Sequence, residues 1–333
     1  MKDTLRREIE RFATVYHVEE SGDTVRFYVQ PIDFEGLRTF LENIATDYDV
    51  KVQFKFGEFV IELKKHRERI WINLALLIAT FASTTIMGAG MFEKFDLIGG
   101  LTYSVAIMFV LGFHEMGHYI FARRWGMKTS LPYFIPFPSL IGTLGAVIRH
   151  RGRIPSRKAL FDVGVSGPLF GIFASILVTY VGLKMKFEPT YKGEATLMLG
   201  TPPLFDLIAK LAGFNGYYIH PVAFAGWVGM FVTFLNLIPV GQLDGGHVLR
   251  AMIGERAEIV YRIIPMILIA LGILTNSSIW LFWGFITMFF AMQKHPKPMV
   301  DEPIDLKRYA VGILTFALGL SCFTPNPFVV TKG

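Results

Sequence analysis

The sequence has a single cysteine, Cys322, among its 333 residues. One thiol excludes an intramolecular disulfide, and it also excludes a metal site built from several cysteine ligands. Cys322 lies in an apolar run, so we expect it to be a small buried residue rather than a reactive one. The N-terminus is charged but has no apolar stretch behind it, and we therefore expect no cleavable signal peptide.

Basic residues do not form the stripe that a nucleic-acid surface would need, although the net charge is +6. They cluster at the ends of apolar runs, as in residues 64–67 and 149–151, which is the pattern of membrane topology signals. Hydrophobic residues make up 52% of the chain, and the mean hydropathy is +0.44. This hydrophobic fraction is higher than that of a typical soluble protein. It predicts an integral, multi-pass membrane protein in contact with the lipid bilayer, without a nucleic-acid partner.

Residues 1–66 are soluble in character. Apolar residues at helical spacing near the start are followed by a hairpin pattern around residues 21–23. A second amphipathic helix over residues 34–44 and a second hairpin over residues 50–62 complete the pattern. We predict a small N-terminal α+β soluble domain over residues 1–66, in which no motif carries chemistry.

Apolar runs long enough to cross a membrane dominate from residue 70 onward, since a spanning helix needs about 20 residues. The fold class is therefore a polytopic α-helical membrane protein, with a membrane-embedded domain over residues 67–325. We predict six or seven spans, of which the sixth is short. They lie near residues 70–91, 98–121, 158–183, 221–241, 258–275, 278–293 and 307–325.

Positive charge orients these spans, because Lys and Arg accumulate on the cytoplasmic side. With seven spans, all the main basic clusters lie on one side of the membrane. The N-terminal domain is then cytoplasmic and the C-terminus lies outside. The absence of a transit peptide favours a prokaryotic cell membrane over an organelle. The clusters fall within residues 64–69, 123–128, 153–158, 250–256 and 294–308.

The connection over residues 130–157 is too apolar for a solvated loop, and its prolines and glycines interrupt any helix. We predict a membrane-associated β segment, covered by protein or lining a wet cavity, because unpaired backbone is not tolerated in lipid.

Chemistry enters with His114-Glu115-Met116-Gly117-His118, inside the second predicted span. Residues four apart share one face of a helix. Two imidazoles so placed can bind one Zn²⁺, while the Glu reaches the metal-bound water. Ionisable groups at this depth are costly unless they have partners. The alternative is a buried polar cluster that holds two helices together.

A catalytic zinc takes three protein ligands and keeps one open position, and Asp244 is the best candidate for the third. His114 lies nine residues from Arg123, so about 13 Å below the cytoplasmic edge. Asp244 lies six residues from Arg250, so about 9 Å below the same edge. The two groups can therefore meet. The alternative for Asp244 is a turn residue at a helix end.

Other polar and small residues have weaker claims. Asn236 lies two helical turns before Asp244, and its amide could hold the substrate carbonyl; an interhelical hydrogen bond is the alternative. His247 is expected at the membrane interface, with contact to the site as the alternative. Asp162 is expected to be an interfacial charge. Gly164, Gly167 and Gly171 are expected to form a close helix-packing face.

The combined motifs resemble the site-2 protease family of intramembrane metalloproteases. The residues that carry the resemblance are His114-Glu115-x-x-His118 and Asn236-x-x-Pro239-x-x-x-Leu243-Asp244-Gly245. It extends to Gly142-Thr143-Leu144-Gly145-Ala146 and Ser166-Gly167-Pro168, so it covers most of residues 98–250.

This resemblance implies a six-helix membrane fold with a three-helix core. It implies one Zn²⁺ per chain, held by His114, His118 and Asp244, with Glu115 as the base, and regulated cleavage of membrane-anchored protein substrates. The soluble domain and the long loop resemble the branch that includes plastid members and their prokaryotic relatives. No PDZ domain is apparent between the two motifs.

Cleavage inside a membrane requires the substrate helix to unwind, and an exposed strand edge can then hold the extended chain. The stretch from Gly142 to Ile148 is our candidate for that strand, since glycine permits close backbone approach. Its predicted substrate-binding residues are Gly142, Thr143, Leu144, Gly145 and Ala146. Two other functions compete with the protease: a metal transporter or sensor, and an inactive scaffold that presents the N-terminal domain. A transporter would not need Glu115, so Glu115→Gln separates it from a protease.

Overall fold

The computed structural model describes residues 2–45, 47–55, 57–66, 69–187, 195–293 and 298–332. Its N-terminal part has the predicted order of helix, hairpin, helix and hairpin. The boundary of this domain at residue 66 stays a prediction. The elements are α1 (Lys2–Ile9), β1 (Ala13–Ser21), β2 (Thr24–Pro31), α2 (Phe34–Ile44), β3 (Tyr48–Lys55) and β4 (Glu58–Lys65).

The four strands form one antiparallel sheet in the order β1-β2-β4-β3. Phe27 on β2 pairs with Ile61 on β4, and both side chains are fully buried. The helices add apolar residues at a spacing of four, such as Leu37 and Leu41 on α2, because such residues share one face. Asp33 caps α2 by accepting from the backbone N–H of Gly36 at 3.0 Å. The N-terminal domain therefore has its own hydrophobic core.

Nine helices follow in the described part of the chain after residue 69. Four helical segments are long and apolar enough to cross a membrane: residues 70–89, 97–124, 157–184 and 244–274, while two apolar helices are shorter. A count of six or seven spans is not confirmed by length and composition. The helices are α3 (Ile70–Ala89), α4 (Leu97–Arg124), α5 (Arg157–Lys184), α6 (Pro203–Ala212), α7 (Pro221–Asn236), α8 (Asp244–Ile253), α9 (Ala257–Leu274), α10 (Ser278–Met292) and α11 (Leu306–Ser321).

Helix α7 ends earlier than the predicted span, before the break that separates it from α8. The helix ends at Asn236 rather than near residue 241, because Pro239 lacks the N–H that a continuing helix needs. Gly241 then turns the chain with φ of +50°, and a side chain at Gly245 would overlap the carbonyl of Leu237. The tight turn makes Asp244 the first residue of α8.

The predicted β segment is present. It consists of two short antiparallel pairs, and the inner hairpin is anchored to α3 and α4. Ser83 donates to the carbonyl of Gly142 at 2.6 Å, and Tyr103 donates to the carbonyl of Ile141 at 3.0 Å. Asn73 donates to the carbonyl of Leu131 at 2.9 Å. The pairs are β5 (Lys128–Thr129) with β8 (His150–Arg151), and β6 (Tyr133–Pro136) with β7 (Thr143–Val147); a further pair joins β9 (Ala195–Leu199) and β10 (Phe328–Lys332).

Helices α4, α5 and α7 form the core that positions the site. Small residues bring them together, since a Cβ at Gly117 would lie 2.6 Å from the carbonyl oxygen of Ser166, and one at Gly226 would overlap Thr179. Trp227 on α7 is 1% exposed, stacks on Phe224 and Phe231 of the same helix, and donates to the carbonyl of Gly200 at 2.9 Å. Cys322 is fully buried, as predicted.

Candidate metal centre

His114 and His118 lie one turn apart on α4, at the centre of the helical core. Both are buried, at 5% and 6% exposed. Their Nε2 atoms are 3.2 Å apart, so the spacing of four residues brings both imidazoles to one point, as a shared ligand would require.

Asp244 completes a triangle with these two residues. Its Oδ2 lies 3.2 Å from Nε2 of His114 and 3.2 Å from Nε2 of His118. The carboxylate reaches this point because α8 begins at Asp244, directly after the turn that ends α7. The structure therefore brings together the three residues that the sequence predicted to meet on the cytoplasmic side of the membrane. His118 and Asp244 are 126 residues apart in the chain.

The triangle fits a tetrahedral zinc ion. Ligand atoms at about 2.0–2.1 Å from zinc are about 3.3–3.4 Å from one another in a tetrahedron, and the three distances here are each 3.2 Å. Two imidazole nitrogens and one carboxylate oxygen are also a donor set that zinc accepts. His114, His118 and Asp244 form the group in the described residues that could hold a metal ion.

The tautomer of His118 is determined by the hydrogen bond of its Nδ1 atom. Nδ1 lies 2.8 Å from the carbonyl oxygen of Val163 on α5. A carbonyl only accepts, so Nδ1 carries the proton. In the neutral ring the lone pair of Nε2 then points into the triangle, as a metal ligand requires. No sequence motif indicated Val163, because its contribution is a backbone carbonyl.

Two glycines of α5 make room for the imidazoles. A Cβ at Gly167 would overlap the ring of His118, and one at Gly171 would lie 2.8 Å from Nδ1 of His114. Gly164 instead faces Val248 on α8, where a Cβ would lie 3.1 Å from a methyl group. The expected helix-packing face is therefore real, but two of its three glycines pack against the imidazoles of the candidate ligands.

Glu115 lies beside the triangle and is 8% exposed. Ile148, directly after β7, lines the same cleft as Glu115. Asn236, the last residue of α7, places Nδ2 at 3.4 Å from Nε2 of His114. Both predicted catalytic residues therefore lie next to the candidate metal ligands, and the end of β7 lies beside Glu115.

A cleft of about 730 Å³ leads to the triangle. His150 and His247 line it, so the structure favours the alternative for His247, contact with the site, over a purely interfacial position. The other predicted interfacial residue, Asp162, accepts two bonds of 2.8 Å from Arg308 outside this cleft. The cleft is also lined by Glu42 of the N-terminal domain, which no sequence motif indicated.

A smaller cavity of about 160 Å³ lies between β7 and the side of the site formed by His114, Glu115 and Asn236. Of the five predicted substrate-binding residues, Leu144, Gly145 and Ala146 line it. Gly142 instead packs against α3, with its Cβ position 2.8 Å from Cα of Thr84. Thr143 donates to the carbonyl of Ile135 at 2.8 Å and accepts from the N–H of Gly145 at 3.0 Å. Gly142 and Thr143 therefore shape the hairpin rather than face the site.

Comparison with known proteins places this site in a family context. The family model described as Peptidase family M50 matches residues 102–276, which include all three candidate ligands and more than half of the chain. No solved structure matches. The family match and the four apolar helices together show an integral membrane protein.

Curated plant proteins are similar over a longer stretch. The protein named "Probable zinc metalloprotease EGY1, chloroplastic" from Oryza sativa subsp. japonica is 30% identical over 240 residues, which are 68% of this chain and 40% of that protein. "Probable zinc metallopeptidase EGY3, chloroplastic" from Arabidopsis thaliana is 29% identical over 285 residues, 75% of this chain and 47% of the relative. The chain thus spans less than half the length of these relatives.

Proposed function

The chain belongs to peptidase family M50, and on that basis we propose that it is an intramembrane zinc metalloprotease. It hydrolyses peptide bonds within or near the transmembrane segments of membrane-anchored protein substrates. The observation that carries this proposal is the triangle of His114, His118 and Asp244, with Glu115 beside it. The family membership and the zinc metalloprotease names of the relatives support the same activity.

His114, His118 and Asp244 are the proposed ligands of one Zn²⁺ per chain. The bound ion would supply a water ligand of lowered pKa and would polarise the scissile carbonyl. Glu115 then acts as general base, taking a proton from the attacking water and passing it to the leaving amine. Asn236 donates its amide N–H to the carbonyl oxygen as negative charge develops there.

We propose that the substrate lies along β7 as an extended chain. The small cavity supports this placement, because it is lined by Leu144–Ala146 on the strand and by His114 and the candidate catalytic residues Glu115 and Asn236. Strand addition satisfies the backbone of a substrate that has lost its helical hydrogen bonds. Gly145 has a positive φ of +103°, so the strand is locally irregular at this residue. The space around its Cβ position is open, since no atom lies within 4 Å of it.

The membrane topology is part of the proposal: six or seven spans, a cytoplasmic N-terminus and an external C-terminus. The clusters of basic residues on one side support it. We propose a prokaryotic cell membrane as the location; the relatives are named chloroplastic, so a plastid membrane is the alternative. Labelling of single cysteines introduced at Asp23 and Tyr217, in intact cells and in inverted vesicles, tests the orientation.

The first experiment is the zinc content of the purified protein, wild type beside Asp244→Ala. We expect about one zinc per chain in the wild type and much less in the variant. Zinc-free wild-type protein, prepared without chelators and with zinc in the medium, would remove the basis of the proposal.

Activity is tested by comparing membranes that contain wild type or Glu115→Gln. New N-termini in membrane proteins that arise only with the wild type identify substrates and support the protease. The same two proteins in zinc-loaded liposomes test the transporter. Zinc flux that is equal in both, with no new N-termini in either, would establish the transporter instead.

A further inference from the structure

The N-terminal domain and the membrane part do not share a hydrophobic core. The core cluster of the N-terminal domain includes only residues between Leu5 and Leu63. The clusters of the membrane part lie between Met91 and Phe328. Among the described residues, the contact between the two parts is therefore not made by a shared apolar cluster. Interfaces of this kind allow relative motion.

Two ion pairs connect the two parts instead. Glu42 Oε2 lies 3.2 Å from Nη1 of Arg153, and Asp47 pairs with Lys128. Both carboxylates lie at the end of α2 or directly after it. Both cations flank the cleft, Lys128 on β5 and Arg153 just after β8. The two pairs thus join one edge of the N-terminal domain to one rim of the cleft.

The position of Glu42 makes this contact relevant to the site. Its side chain lines the same cleft as His114, His118 and Asp244, and so does Arg153. The end of α2 is therefore part of the cleft wall. If the N-terminal domain moved away, this wall would be lost and the cleft would open further to water.

We propose that the N-terminal domain is a movable roof over the water-facing mouth of the metal cleft, latched by the Glu42–Arg153 and Asp47–Lys128 ion pairs. The latch is open in a fraction of molecules, because exposed ion pairs are individually weak. All four side chains are between 35% and 58% exposed, so salt also screens them. A chain that enters the cleft from the water side must displace this roof. Access is thus controlled by charge, independently of whether the site is a protease.

Access to the cleft can be measured with one reporter cysteine. Cys322 is fully buried, so a new thiol at Met127, which lines the cleft and is 7% exposed, is the site that a charged water-soluble maleimide labels. In the Met127→Cys protein we expect Glu42→Lys together with Asp47→Lys to raise the labelling rate about fivefold. Adding Arg153→Glu and Lys128→Glu reverses both pairs and should restore the slow rate.

Two controls separate the latch from general damage. Arg38→Ala removes the other partner of Glu42, at 3.0 Å within α2, and Glu10→Lys makes the same charge change in the Arg6–Glu10 pair of the first helical region. Neither should change the rate. Raising the salt concentration from about 0.05 M to about 1 M should speed labelling with the latch intact, but not in the charge-reversed Glu42→Lys/Asp47→Lys protein.

Equal labelling rates in all variants and at both salt concentrations would overturn the proposal. The proposal would also be overturned if labelling stayed fast after Arg153→Glu and Lys128→Glu were added to the Glu42→Lys/Asp47→Lys protein and that protein was folded. The salt series uses the unmutated ion pairs, so it decides the question even if a charge variant fails to fold. Labelling needs neither zinc nor a substrate, and a failure here is therefore distinct from failure of the proposed protease.

Discussion

Gly167 of α5 lies directly against the imidazole of His118 on α4, so that a Cβ at this glycine would overlap the ring. The same ring donates from Nδ1 to the carbonyl of Val163, one turn earlier on α5. Helix α5 thus holds His118 from two sides, by close approach and by a hydrogen bond. The geometry of the candidate metal centre therefore depends on a helix that contributes no ligand to it.

The first prediction concerns this contact. Gly167→Ala should displace the His118 ring and weaken zinc binding about tenfold or more, since residues that orient ligands have effects of this size. Zinc affinity by competition with a chelator measures it. Gly112→Ala on α4 is the control, because its Cβ would lie at an ordinary 3.5 Å from Phe134. Unchanged zinc affinity in Gly167→Ala would show that the imidazole has another position available.

The second prediction concerns β7. Leu144 lines the small cavity and is 63% exposed. A carboxylate there would lose its water when a substrate chain lies alongside, at a cost of several kcal/mol. Leu144→Asp should therefore lower cleavage at least about tenfold while leaving zinc content unchanged. Leu140→Asp, in the same hairpin but 45% exposed and outside that cavity, is the matched control; equal cleavage in both would remove β7 from substrate binding.

The third prediction concerns Arg157, at the start of α5. Its guanidinium is buried and donates to the carbonyls of Ala251 and Met252 at 2.9–3.1 Å, so it holds the end of the helix that begins with Asp244. Arg157→Met leaves these carbonyls without their charged donor. We expect a loss of about 3 kcal/mol in the free energy of unfolding, seen as a lower midpoint of thermal unfolding in detergent. The neighbouring Lys158→Met should lower the midpoint of thermal unfolding only slightly. A larger decrease in Lys158→Met than in Arg157→Met would contradict this role of Arg157.

The fourth prediction is a pH dependence. His220 caps α7 by accepting from the N–H of Val222 at 3.1 Å, which needs an unprotonated Nδ1. Burial lowers the pKa of this imidazole below its ordinary value. The unfolded chain then binds more protons than the folded chain below about pH 6.5, so this group's contribution to stability falls as the pH falls through that range.

His220→Asn keeps a capping side chain without a titratable group. The midpoint of thermal unfolding should therefore fall less in the variant than in the wild type between about pH 8 and about pH 5. Parallel pH profiles of the two proteins would show that His220 does not contribute.

Much of the site could be predicted from sequence, because its determinants are local. The spacing of His114 and His118 alone places them on one helical face. Pro239 and the adjacent glycines mark the break that precedes Asp244. The N-terminal hairpins follow from alternating polarity around turn residues, and the structure has them in the predicted order.

Other predictions needed correction because their causes are not local. The five-residue stretch at Gly142–Ala146 reads as one strand, yet Gly142 packs on α3 and Thr143 bonds within its own hairpin. Only the neighbouring helix decides which of these residues face the cavity. The number of spans is likewise uncertain in sequence, since α7 and α10 are apolar but short, and hydropathy does not distinguish burial in protein from burial in lipid.

The sequence by itself determined the membrane character, the two-part organisation and the identity of the candidate ligands, because composition and helical period are properties of neighbouring residues. Only the tertiary structure decided how the site is held. The carbonyl of Val163 carries no side-chain signal, since it acts through the backbone. Gly167 was visible in the sequence as a packing residue, but only the structure shows that it packs against the ring of His118. The placement of Glu42 at the cleft depends on contacts between residues about a hundred positions apart, and no periodic pattern records such contacts.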